Sequence, residues 1–218
     1  SNHKGGVGKT TSVANIGAGL SKLGHNVLLV DLDPQANLSQ SFGIDEPETT
    51  IYDSLKTELP LPKIDLNEKM QLVPSTLDLS GAELELSNEA GREYLLNELL
   101  IPVKDEYDFI IVDCPPSLGL LTVNALTAAD RVLIPLQAHY LSLRGMTKMM
   151  EVIEKVQKRL NHKLSIGGVF ITQFDRRKIL NRDVAETINE YFGDKVFQTK
   201  IRDNISLAEA PTTGRDII

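Results

Sequence analysis

The chain has 218 residues, 41% of them hydrophobic, enough to bury one good core. Its single cysteine, Cys114, excludes a disulfide framework or a cysteine-cluster metal site within one chain, and no apolar run approaches the roughly 18 residues needed to cross a bilayer. The formal charge of −7 argues against a generally basic nucleic-acid binder, and the polar, glycine-rich start is not a signal peptide, so a soluble cytoplasmic protein is expected.

Charge is unevenly spread. Residues 45–98 hold 13 acidic against 4 basic side chains, and residues 131–218 hold 15 basic against 10 acidic. That asymmetry permits a basic face on an acidic protein, although two ordinary solvated surfaces would give the same counts.

In chain order, the first element is a helix over 7–24, with Val13, Ile16, Leu20 and Leu23 on one face and Gly24 as its stop signal. HNVLLVDLD reads as a buried strand. TTIYDSL and LDLSGAELEL predict short helices with a strand, MQLVPS, between them, and the Pro-, Thr- and Asp-rich stretch 46–66 reads as a surface excursion. A helix follows over 92–103, then a second buried strand, YDFIIVDCPP, closed by a double proline. The rest alternates: helix 117–130, strand 131–137, a long helix 143–160, strand 164–174, helix 181–193 and a last strand 194–201. This alternation predicts an α/β fold, a mainly parallel twisted sheet with helices on both faces, whose ligands sit at the carboxyl ends of the strands. One domain over 1–218 is expected, lacking the strand that should precede a phosphate loop and a closing C-terminal helix.

The chemistry-bearing residues fall at those carboxyl ends. The start, SNHKGGVGKTT, departs from the usual G-x-x-x-x-G-K-[ST] loop: His3 stands at the first glycine position and an extra lysine, Lys4, follows. Gly5, Gly6 and Gly8, with Val7 between them, let backbone N–H groups turn inward around phosphate oxygens at the start of a helix. Lys9 would reach the β- and γ-phosphates and the Thr10 hydroxyl would ligate Mg²⁺, with Thr11 completing the run. VDLDPQAN puts Asp31 and Asp33 at the end of the next strand. There a carboxylate can hold a water for attack on the γ-phosphate or bond the magnesium shell, and either residue could equally be a turn or capping aspartate before Pro34. IIVDCPPS ends in Asp113, the pattern of a second magnesium-binding carboxylate, with Pro115 and Pro116 stiffening the exit. Cys114 reads as a packed side chain rather than a nucleophile. His3, His25, His139 and His162 show no ligand spacing and read as structural or surface residues.

KGGVGKTT, VDLDPQ, DFIIVDCPPSLGLLTVNAL and the late ISLAEAP together resemble the Soj-like ParA family of DNA-partition ATPases, in the deviant-Walker group of P-loop NTPases. The resemblance covers nearly the whole chain and is weakest between about residues 45 and 105. MinD-like cell-division ATPases lack the Asp-Pro-Gln after the second strand, and the nitrogenase iron protein carries cluster cysteines absent here. The resemblance implies that Lys4 reaches across a dimer interface to the nucleotide phosphates of the partner subunit, so that two chains sandwich two ATP molecules. It assigns Asp33 to positioning the attacking water, Asp113 to Mg²⁺ through a water, and 201–211 to the adenine and ribose neighbourhood. Asp31 takes a supporting role in the magnesium shell.

The implied function is a slow Mg²⁺-ATPase that dimerises on ATP and binds nonspecific double-stranded DNA as the dimer. A ParB-type centromere-binding partner would stimulate the resetting hydrolysis, and the nucleoid-associated protein would drive plasmid or chromosome partition. Candidate DNA contacts are Arg176, Arg177, Lys178, Arg182, Lys200 and Arg202, any of which could instead be a solvated rim. Many family members carry an arginine where this chain has Ser206, so DNA binding would have to come from Arg202 or the 176–182 cluster. Two other readings stay open. One is an ATP-dependent carboxylate ligase, against which Lys4 and Asp-Pro-Gln speak. The other is a positioning ATPase with a non-DNA cargo, MinD-like or at a polar complex; no membrane contact is evident in the sequence.

Overall fold

The computed structural model describes residues 6–202, apart from the side chains at 140, 141, 143 and 144. Helix α1 (Lys9–Lys22) starts on Gly8, whose φ of 85° and ψ of 25° no helix can continue. It ends in a Schellman turn: His25 N–H donates to the Leu20 carbonyl and Gly24 N–H to that of Ser21, with Gly24 at φ 93°. Leu23 caps this end and is 77% exposed, so it leaves the apolar face that the periodicity assigned to it. Strand β1 (Val27–Asp31) is buried on both sides. Alternate side chains supply two layers: Val27 and Leu29 pack toward α1, and Leu28 and Val30 toward the opposite face.

Short helices α2 (Asn37–Ser41) and α3 (Ile51–Thr57) follow, then β2 (Ile64–Asn67) and β3 (Met70–Val73). Helices α4 (Leu79–Glu85) and α5 (Leu95–Leu100) lead to β4 (Phe109–Asp113) and α6 (Leu120–Ala128). The rest is β5 (Arg131–Gln137), α7 (Tyr140–Arg159), β6 (Ser165–Thr172) and α8 (Ile179–Phe192). One sheet has the order β2-β3-β1-β4, with β1 parallel to both neighbours and β2 antiparallel on the edge; the second pairs β5 with β6 in parallel. Each sheet has its own core. Leu28, Val30, Val73, Leu96 and Leu121 belong to one, and Ile134, Leu136, Ile153, Val169, Ile171 and Ile188 to the other. Helix α6 lends Leu121 and Ala125 to the first and Leu126 to the second.

Four further expectations need correction. The stretch 46–66 is not a surface excursion: Thr50 and Asp53 form a capping box, α3 buries Ile51 and Leu55 one turn apart, and β2 begins at Ile64. The helix expected over 92–103 contracts to α5. Strand β4 is only half-buried, with Phe109 41% exposed, and among the described residues it pairs with β1 alone. The last strand, 194–201, is a 3₁₀ turn (Gly193–Lys195) and a single parallel bridge, Val169 to Val196. Here Phe197 lies across β6 where Gly168 has no side chain; a Cβ there would meet the ring at 2.3 Å.

Candidate functional site

The carboxyl ends of β1, β4, β5 and β6 meet at the start of α1. Gly6 (φ 82°) and Gly8 (φ 85°) are both left-handed, a conformation glycine adopts freely. Left-handed backbone on either side of buried Val7 turns successive amide N–H groups toward a common centre, the geometry of an anion cradle. Lys9, Thr10 and Thr11 follow, half-buried in the first turn of α1, which holds no acidic side chain to offset the positive end of the helix. Lys4 and Gly5 lie outside the described residues.

The parallel register puts Asp31 directly beside Asp113. Both are buried, at 0% and 1% exposure, and Asp33 is 6% exposed nearby. Their surroundings differ. Asp31 Oδ2 accepts the Ser39 N–H at 2.9 Å and the Ser39 hydroxyl at 2.7 Å, and Oδ1 accepts the Asp33 N–H at 3.2 Å. Ser39 Oγ in turn accepts the Ser75 N–H at 3.0 Å, tying the end of β3 into the same knot. Burial pushes Asp31 up to about 6, these bonds working against it. Asp33 Oδ1 accepts the Gln35 N–H at 3.0 Å, closing an Asx turn over Pro34, so the turn role is real and sits within the site.

Asp113 has no such support. Both its carboxylate oxygens are buried without a hydrogen-bond partner of good geometry. Burial raises its pKa to about 7; the nearby Thr10 hydroxyl and Lys9 ammonium pull down, and the charges of Asp31 and Asp33 push up. A bound cation is one of the partners that completes a buried carboxylate of this kind. Among the described residues no group of three or more His, Cys, Asp or Glu is arranged to hold a metal ion by itself. A bare carboxylate beside a hydroxyl and an ammonium therefore fits Mg²⁺, which takes one or two protein oxygens and draws the rest from water and phosphate. Burial pushes the Cys114 thiol up to about 11, leaving it an inert packed group.

Sequence reasoning passed over the residues that hold the loop. Gln137 Nε2 donates to the Gly6 carbonyl at 2.9 Å, Gln173 Nε2 to the same oxygen at 3.1 Å, and Thr172 Oγ1 to the Val7 carbonyl at 2.9 Å. The available signal was a polar residue closing each apolar parallel strand, RVLIPLQ and FITQF, where ligand sites collect.

The basic candidates gather at the same end of the molecule. Arg176, Arg177, Lys178 and Arg182 are exposed in the β6–α8 connection and the first turn of α8. Arg177 is held by its own neighbour, Asp175, through two 3.0 Å bonds that lower the carboxyl to about 2. The chain brings 200–202 alongside: Phe174 N–H donates to the Ile201 carbonyl, and Lys200 Nζ sits 4.5 Å from the Phe174 ring. Arg202 is exposed; Ser206 and most of 201–211 lie outside the described residues. No helix among the described residues is long and apolar enough to cross a membrane.

A family model, AAA_31, described as an AAA domain, matches residues 1–166. The chromosome-partitioning ATPase Soj of Treponema pallidum is 47% identical over 99% of this chain and 86% of its own length. The chromosome partitioning protein ParA of Caulobacter vibrioides is 44% identical over 100% of this chain and 84% of its own. A Mycobacterium smegmatis structure named cobyrinic acid a,c-diamide synthase, with a bound ATP analog and magnesium, is 38% identical. It superposes with a TM-score of 0.89 over 98% of this chain and 90% of that one.

Proposed function

The chain belongs to the ParA family of partition ATPases, and on that premise we propose that it is an ATP-dependent dimer switch that carries DNA. It hydrolyses ATP and uses ATP with Mg²⁺. As the ATP dimer it binds double-stranded DNA without sequence preference, in the cytoplasm and on the nucleoid. A ParB-type protein stimulates hydrolysis, which is slow without it, and the cycle moves a plasmid or chromosome.

The observation that carries the reading is the bare Asp113 carboxylate, in register with Asp31 and beside Lys9 and Thr10. Mg²⁺, when bound, neutralises charge on the phosphates as the γ-phosphoryl leaves. The loop amides receive the phosphate oxygens, Lys9 adds a cation, and the Thr10 hydroxyl and Asp113 serve the metal shell. Asp31 buttresses that shell from its knot of three donors, and the Asx turn holds Asp33 where a water can be oriented. Lys4 of each subunit supplies the trans cation that makes dimerisation depend on a triphosphate. The ligase reading has the name of the Mycobacterium structure on its side; Lys4, the Asp-Pro-Gln after β1 and the higher identity to the partition ATPases speak against it.

The decisive experiment measures binding to random-sequence duplex DNA with ATP, with ADP, and for Lys4→Ala with ATP, over a salt series. Salt-sensitive binding with ATP alone, lost in Lys4→Ala, is the expected result. A second reading rests on Ile179 (67% exposed) and Leu180 (52%), apolar side chains set among the arginines. They suit a cargo other than DNA, and ATP dimers that ignore DNA at low salt would favour it.

A further inference from the structure

The phosphate loop is held by its carbonyls. The Gly6 oxygen accepts two side-chain amides, from Gln137 and Gln173; the Val7 oxygen accepts the Thr172 hydroxyl; the Gly8 oxygen accepts the Ser12 N–H at 3.0 Å. Three successive carbonyls are thereby occupied. This matters because a peptide unit has two ends: a carbonyl turned toward a phosphate repels it, while the N–H attracts it. Glycine-rich backbone rotates easily between those choices, and Gly6 has open space where a side chain would stand.

The two glutamines act as a pair. Gln137 Nε2 also donates to Gln173 Oε1 at 2.8 Å, so each amide fixes the orientation of the other, and Gln137 is buried at 8% exposure. Gln173 adopts φ 49°, a left-handed backbone that a residue with a side chain rarely takes. Such conformations persist where the surroundings demand them. Here the demand is visible: the turn after β6 aims the Gln173 amide back at the loop.

We infer that Gln137, Gln173 and Thr172 are positioning residues that set the phosphate loop in its anion-receiving form before nucleotide arrives. None of them need touch the ligand; they act through the Gly6 and Val7 carbonyls, turning the amides inward and sparing the nucleotide the work of ordering the loop. The inference rests on the nucleotide reading of the site.

The test is calorimetric titration of the whole chain with Mg–ADP, which avoids turnover, alongside thermal melting without nucleotide. Gln137→Met and Gln173→Met keep the length of the side chain and remove the donors; Thr172→Val does the same for the hydroxyl. Each single variant should bind Mg–ADP about 3- to 20-fold more weakly, from the loss of one hydrogen bond to a loop carbonyl. The Gln137/Gln173 double variant should lose less than the product of the two, since both act on one oxygen. Melting of the nucleotide-free chain should fall by only a few degrees, since one hydrogen bond of about 1 kcal/mol shifts a domain of this size by roughly 2–4 °C. Affinities within twofold of the native chain in all three variants would overturn the inference. So would lowered melting with affinity unchanged, which would make these ordinary fold contacts. A native chain that fails to bind Mg–ADP would instead overturn the nucleotide reading beneath it.

Discussion

Two aspartates side by side on adjacent strands carry unequal consequences. Asp113 has no donor in good hydrogen-bonding geometry and a pKa raised by burial from 3.8 to about 7, so the folded chain keeps a proton that the unfolded chain releases. Its stability is fully present below about pH 4 and declines as pH rises through 7, because ionisation then strains a bare buried site. Asp113→Asn, neutral throughout, should stabilise the nucleotide-free chain at pH 8 by about 2–4 kcal/mol and leave it nearly unchanged at pH 4. Melting curves at the two pH values read this directly, and equal shifts at both would contradict it. The same variant should weaken Mg–nucleotide binding. Asp31 is raised too, to about 6, but it faces three donors, so Asp31→Asn relieves a buried charge and at the same time turns an amide toward N–H and O–H groups. At pH 8 it should therefore gain at least about 1 kcal/mol less than Asp113→Asn, and an equal gain would refute the assignment of that knot.

Among the elements, α1 depends on a missing side chain. A Cβ on Gly17 would stand 2.7 Å from Leu29 Cδ2, and Leu29 is fully buried, so its side chain would have to shift within the core. Helix propensity alone predicts that Gly17→Ala gains about 1 kcal/mol. Close packing predicts a larger overpacking loss, so the variant should be destabilised by about 1–2 kcal/mol net in denaturant unfolding. The sequence made most of this level legible, because period and punctuation act locally: the turn at Gly24, the buried run VLLVD and the prolines after Asp113 all sit where they read. What escaped depends on partners far along the chain. Whether FIIVD is buried depends on how many strands flank it, and whether VFQTK pairs depends on Phe197 crossing Gly168. The site divides the same way. Gly6, Lys9, Thr10 and the three aspartates were visible as motifs. Gln137 and Gln173 were not, since their role is a bond to a carbonyl more than 130 residues away in sequence.

For the molecule as a whole, an overall charge of −7 coexists with a basic surface at one end, next to the phosphate loop. If that surface meets DNA, each phosphate contact removed should lower the slope of log affinity against log salt by about 1. Arg176→Glu with Arg182→Glu should therefore flatten the slope by about 2 and leave nucleotide affinity unchanged; an unaltered slope would exclude this face. Architecture has its own consequence. Loop 6–8 is bonded from the ends of β5 and β6 through Gln137, Thr172 and Gln173 and runs on into α1, which packs against β1 and β4. A ligand seated there touches elements that are far apart in sequence, so occupancy should slow their local opening together. Native-state hydrogen exchange should be slower with Mg–ADP than without it both in the first turn of α1 and at the ends of β5 and β6, and slowing confined to α1 would contradict this.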